Sequence, residues 1–214
     1  MSTKIAQKGF TDKELKEELK EIKSWKSREP KDSRVIEIAR HFASMQQWDL
    51  AIEAFQLVSN EKERNLLIAD LIEGFLLPAH EIALAKKFAK YLTPVIEIES
   101  FIWIRIALAD NDTEQAQKIA ERLPSPLSRN FAYLHIMESY LANKEKHKAS
   151  ELIKLIVENI RTIYDNKSRS YILRELALNL FAPNNEKERA KEMAMLIPDE
   201  TIKTQVVNKI NALK

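Results

Sequence analysis

The chain has 214 residues, 45% of them hydrophobic, with 34 Lys and Arg against 32 Asp and Glu. That is long and apolar enough for a sizeable core, which excludes wholesale disorder, and the balanced charge gives no strong pull toward nucleic acid or an acidic membrane. There is no cysteine and glycine occurs only at Gly9 and Gly74, which excludes disulfides and thiolate sites and argues against large sheets and glycine-rich phosphate loops.

The helix formers Ala, Leu, Glu, Lys and Ile dominate instead, so an all-α fold is predicted. The first twenty residues lack the apolar core of a secretory signal, and no run approaches the roughly 18 apolar residues that span a bilayer. A soluble, cytoplasmic protein is the expectation, with no membrane partner. Next comes TDKELKEELKEIKSWKSRE, where Thr11 and Glu14 form a capping-box pattern. Leu15, Leu19 and Ile22 make one apolar stripe within dense charge, and Trp25 follows. This helix either caps the stack, fills a groove, pairs with another chain to give a homo-oligomer, or lies on a membrane. Its evenly mixed Lys and Glu argue against the last.

Helices are predicted, in chain order, near 11–28, 33–46, 48–58, 61–77, 79–92, 95–109, 113–123, 126–142, 145–164, 167–182, 186–197 and 199–213. From the second of these helices onward the chain repeats itself in pairs. Val58, Leu92, Leu123, Ile163 and Ile197 each close the second helix of a pair, at intervals of 34, 31, 40 and 34 residues. The long interval requires roughly two extra helical turns between His147 and Tyr164. The residues before these anchors recur too. Ala51, Phe55 and Val58 stand at i, i+4 and i+7, as do Ala85, Ala89 and Leu92. Ala116, Ala120 and Leu123 repeat the spacing, and so do Ala190, Ala194 and Ile197. A stripe with alanine at its centre lets neighbouring helices approach closely.

Pro94, Pro124, Pro126 and Pro198 follow the anchors, where one helix must stop and another can begin. Asn60 with Glu63 and Asn185 with Glu188 repeat the capping-box pattern. A basic residue stands six after most anchors, at Arg64, Arg129, Arg169 and Lys203. A cation near a helix start is unfavourable with the macrodipole, so each is expected to pair with a carboxylate of the adjoining helix, or to form a basic ridge. The last helix, from Asp199, turns Ile202, Val206, Ile210 and Leu213 to one side as a terminal cap. Three parts follow: a charged helix over 1–30, about five helix pairs over 31–198, and a capping helix over 199–214.

Local chemistry is thin. His41, His80, His135 and His147 fall on different helices. Glu37 and His41 share one helical face but lack a third ligand. His80 and Glu81 begin a zinc-protease pattern whose second histidine is Leu84. No serine stands in a nucleophile elbow. No catalytic, metal-binding or cofactor-binding residue is therefore expected, and no enzyme. Trp48 and Trp103 fall at core positions of the pairs, where packing explains them.

The stretch from Val35 to Val58, VIEIARHFASMQQWDLAIEAFQLV, resembles a tetratricopeptide repeat, with Ala39, Trp48, Ala51, Phe55 and Val58 at that family's characteristic places. Trp103 and Ala107 resemble its conserved tryptophan and small residue, and the period extends the resemblance over roughly 32–200. The resemblance implies an α-α superhelix, a solenoid of about twelve helices in antiparallel pairs. It also implies a non-enzymatic scaffold, adaptor or chaperone holding a protein or peptide along the first helices. Arg40, Asp70, Arg105, Glu138 and Arg174 would line that groove. The family's clamp for an acidic chaperone tail is not matched, because its places hold Ile36, Arg40 and Leu71. A helical-repeat nucleic-acid binder is the alternative, and the mixed charge signs count against it.

Overall fold

The computed structural model describes residues 11–24, 28–182 and 186–212; Trp25, Asn185 and Leu213 lie outside them. Among the described residues the chain is all-helical, without a strand. The helices are α1 (Asp12–Ile22), α2 (Arg28–Ser44), α3 (Trp48–Phe55), α4 (Glu61–Leu71), α5 (Ile82–Ala89) and α6 (Ile96–Ala109). They continue with α7 (Thr113–Glu121), α8 (Pro126–Ala142), α9 (Lys146–Ile160), α10 (Asn166–Glu175), α11 (Lys187–Met195) and α12 (Glu200–Ala212). A π-helical turn extends α4 over Ile72–Leu76, and another extends α10 over Leu176–Phe181. The chain divides into two compact units, Met1–Ile102 and Trp103–Lys214.

One turn recurs in both units. Where α2 gives way to α3, Gln46 adopts φ 57°, and its N–H bonds to Ala43 O at 2.9 Å while the Gln47 N–H bonds to Phe42 O at 2.8 Å. His80, Asn111 and Lys144 repeat this left-handed cap at φ 57°, 60° and 65°, each with the same two backbone bonds. Glycine usually fills such a place, because other L-residues resist positive φ. This chain makes its tight turns without it. Twelve residues separate Gln46 from Val58, His80 from Leu92 and Asn111 from Leu123, whereas nineteen separate Lys144 from Ile163. The whole excess of the 40-residue interval therefore lies in α9, whose 15 residues exceed the 8 of α3 by about two turns. The anchors themselves sit in the turns two or three residues beyond α3, α5, α7, α9 and α11, rather than in their last turns, and all five are buried.

In the unit Met1–Ile102, the second-helix stripe Ala51, Phe55, Val58 is buried, as is Ala85, Ala89, Leu92. Phe55 stacks edge-on against Phe88 at 5.4 Å and Tyr91 at 5.3 Å, and Trp48 meets Phe88 at 6.1 Å, so Trp48 is a packing residue. Each fully buried Phe is worth roughly 1.5–3 kcal/mol of apolar transfer. The α1 stripe of Leu15, Leu19 and Ile22 is buried, and α1 packs on α2. Arg34 of α2 forks onto Glu18 of α1 at 2.6 and 2.7 Å and also reaches Glu37 at 2.7 Å; these bonds hold its guanidinium charged well above the ordinary range. Thr11 and Glu14 form the reciprocal capping box.

In the unit Trp103–Lys214, the stripes Ala116, Ala120, Leu123 and Ala190, Ala194, Ile197 are buried likewise. The longer α9 carries a continuous one: Ala149, Leu152, Ile156, Ile160 and, past its end, Ile163. Along α12, Val206 and Ile210 are buried and Ile202 half-buried, against α10 and α11.

A buried polar residue joins these elements. Asp32 in α2 accepts the Ser59 and Asn60 N–H groups at 2.8 Å each, just before α4. Asn65, fifth in α4, accepts the Thr93 N–H at 3.2 Å and donates to the Thr93 hydroxyl at 2.8 Å, just before α6. Ser170, fifth in α10, accepts the Asp199 N–H at 3.2 Å, just before α12. Each latch thus satisfies a backbone donor at a helix entrance and ties it to the preceding first helix. Asn130, fifth in α8, cannot do so. The long α9 places Ile156, rather than the chain past Ile163, opposite it; its Nδ2 reaches Ile156 O at a long 3.5 Å and its buried Oδ1 has no partner. Within a helix the N–H groups are already used, so no donor remains for that oxygen.

The recurrent cations also act on backbone, which corrects the expected carboxylate pairing. Arg64 donates to Val58 O at 3.3 Å and Arg129 to Leu123 O at 2.6 Å, the carbonyls of the anchors themselves. Those carbonyls end the preceding helix, whose negative dipole offsets the unfavourable helix start. Only Lys203 meets a carboxylate, Glu200 of its own helix, and Arg169 Nε is buried without a partner. The Asn60 cap accepts from the Lys62 and Glu63 N–H groups as its pattern predicts, and Asp112, Ser125, Asp165 and Asp199 cap further helices.

Two opposite substitutions should both stabilise. Gln46→Gly removes positive-φ strain, and Gly74→Ala fills a helical position where an added Cβ meets nothing nearer than Asp70 Oδ1 at 4.0 Å. Each is expected to raise unfolding free energy by about 0.5–1 kcal/mol, read as a higher denaturant midpoint at constant m. The latch makes a second prediction. Asn65→Leu strands the Thr93 N–H and should cost about 1–3 kcal/mol, whereas Asn130→Leu removes an unpaired oxygen and should be neutral or stabilising.

Candidate functional site

The latch position orients its neighbour. With Asn65, Asn130 and Ser170 turned into the core, the next residue of each first helix turns outward: Leu66, Phe131 and Tyr171. Leu66 is 50% exposed and Tyr171 41% exposed, and Phe131 is half-buried. Leu66 and Tyr171 thus present apolar surface that the rest of the fold leaves uncovered.

In the unit Trp103–Lys214, Phe131 of α8 and Tyr171 of α10 lie side by side, ring centroids 5.5 Å apart. They edge a cleft of about 80 Å³ between α8, α10 and the π turn after α10. Leu134, Met137 and Leu180 form its buried floor, and Leu141 closes one end. Its polar rim is His135, Glu138, Glu175 and Asn179. The Arg174 guanidinium covers the Tyr171 ring at 4.5 Å and donates to Glu175 Oε1 at 2.6 and 3.0 Å; Asn179 donates to Glu175 Oε2. Glu138 stands 3.6 Å from His135, beyond hydrogen-bond length. Because π turns widen the backbone helix, the one after α10 sends both Asn179 and Leu180 to the cleft.

The groove residues expected from the sequence fall in several places. Arg40 and Asp70 meet across α2 and α4 as an ion pair at 2.8 Å, both about half exposed. Arg105 lies exposed on α6. Glu138 lines the cleft and Arg174 stands at its edge on Tyr171. Counted from the latch residue of their own helices, Asp70 shares a register with His135 and Glu175, and Arg40 with Glu138, while Arg174 stands one place earlier than Glu175. The five therefore do not form one row. Phe131 and Tyr171, the aromatic pair, carry no motif in the sequence; the signal that finds them is the buried polar residue just before each, Asn130 and Ser170.

Glu37 pairs with Arg34, and His80 is spent on a left-handed turn. Among the described residues, no group of three His, Asp or Glu side chains stands close enough to hold a metal. No helix there is long and apolar enough to cross a membrane.

If the cleft surfaces are surplus to folding, Glu138→Lys should leave the unfolding free energy within about 0.5 kcal/mol, and Tyr171→Ser should lower it by only about 1 kcal/mol, the worth of the ring pair and cation contact. Thermal or urea unfolding of the two variants checks this. Compared with models of protein families, with curated proteins and with solved structures, the chain gives no match.

Proposed function

We propose that this chain is a non-enzymatic binding protein, an adaptor, scaffold or chaperone, whose helix pairs continue as a tetratricopeptide-like solenoid and hold a segment of a partner protein along the first helices. The observation that carries the reading is the exposed apolar residue that follows two of the latches, Leu66 after Asn65 and Tyr171 after Ser170. Such residues are apolar surface that folding leaves unused, and apolar surface framed by charge is what partner recognition buries. The repeated turns, alanine stripes and latches support a regular stack. Rigid, preorganised helices lose little entropy on binding, which favours affinity from a modest surface.

The test is chemical cross-linking of the full chain in host extract, comparing the wild type with Leu66→Lys and Tyr171→Lys. Both variants should keep the wild-type circular dichroism, and at least one should lose most of the cross-linked partner. A partner set unchanged in both variants would remove the first-helix face as the binding surface.

A further inference from the structure

We infer that the cleft between Phe131, Tyr171 and Glu138 is a docking site for a single apolar side chain of a partner protein, followed closely in that partner by Lys or Arg. This rests on the binding function proposed above and names the chemistry of its partner.

Size sets the first limit. A cleft of about 80 Å³ is well below the roughly 300 Å³ that a drug-sized ligand or cofactor occupies. It suits one side chain. Its floor of Leu134, Met137 and Leu180 and its aromatic edge present no buried unpaired polar group, so that side chain must be apolar.

Charge sets the second limit. At the rim, Arg174 cancels Glu175, whose two oxygens are taken by Arg174 and Asn179. Glu138 carries the surplus charge: its side chain is 60% exposed, and His135 stands off at 3.6 Å. A partner cation can reach it without breaking an existing bond. An acidic partner would meet Glu138 as a like charge, and nucleic acid would meet it with phosphates.

The test is selection of a random-peptide phage library on the full chain, with the enriched peptide then labelled with fluorescein for anisotropy titration. The enriched sequences should share an apolar residue with Lys or Arg within the next few positions. Glu138→Lys and Tyr171→Ser should each weaken binding by about tenfold, while Met195→Ser, at an exposed residue of α11, leaves it unchanged. Reselection on the Glu138→Lys protein should turn the flanking preference acidic.

Peptides that bind but ignore Glu138→Lys and Tyr171→Ser would overturn this site and leave the wider binding function standing. Enriched peptides with acidic flanks would overturn the charge assignment. If no peptide is enriched, and cross-linking in extract also fails, both readings fall. If Glu138→Lys instead changes the chain's own sedimentation coefficient, a second copy occupies the cleft and the proposal is wrong.

Discussion

Every helix entrance leaves backbone N–H groups without intrahelical partners, and a protein made almost wholly of short helices has many entrances. Here the solution is a polar side chain buried in one first helix that bonds to the backbone leading into the next. Asp32, Asn65 and Ser170 do this for α4, α6 and α12. Apolar packing alone would let adjacent pairs slide, since alanine stripes are smooth and dispersion has no direction. A buried hydrogen bond has direction, and breaking one strands a donor at a cost of about 1–3 kcal/mol. Within each unit the latch therefore fixes register while burial supplies most of the favourable free energy.

The arginines work at the other end of the same joint. Arg64 and Arg129 reach back to the carbonyls of Val58 and Leu123, and at the turn before α4 the chain is held through its N–H groups by Asp32 and through a C=O group by Arg64. Exposed ion pairs such as Arg40–Asp70 and Lys23–Glu53 are worth about 0–1 kcal/mol each and add little to this. The bidentate Arg34–Glu18 pair is different, because its two short parallel bonds orient α1 on α2.

What could be read in advance follows from what each feature looks like one-dimensionally. Alanine at i and i+4 before a branched anchor is a burial signal, and those stripes lie where their spacing placed them. The extra turns of α9 were visible because an insertion shifts every later anchor. The latch was not, because Asn, Ser and Asp early in a helix read as solvated or capping residues. The four left-handed turns were hidden by their composition: Gln, His, Asn and Lys there lack the glycine that marks such a cap. The aromatic cleft was not legible either, since an aromatic within a helix ordinarily fills a core and nothing else in the sequence marks Phe131 or Tyr171. The groove residues borrowed from a single repeat scattered over several registers for want of a common reference point, which the buried polar residue supplies.

The length of α9 has a consequence for helical phase. Seven added residues rotate an α-helix through 700°, some 20° short of two full turns, so the side that was inward stays inward. Ala149, Leu152, Ile156 and Ile160 form an unbroken stripe because of that phase. An insertion of two or five residues would have swung it toward solvent. Asn130 accordingly meets mid-helix backbone where its counterparts meet a helix entrance. The length of a second helix in this architecture is thus quantised: only increments close to whole turns keep its buried stripe in phase.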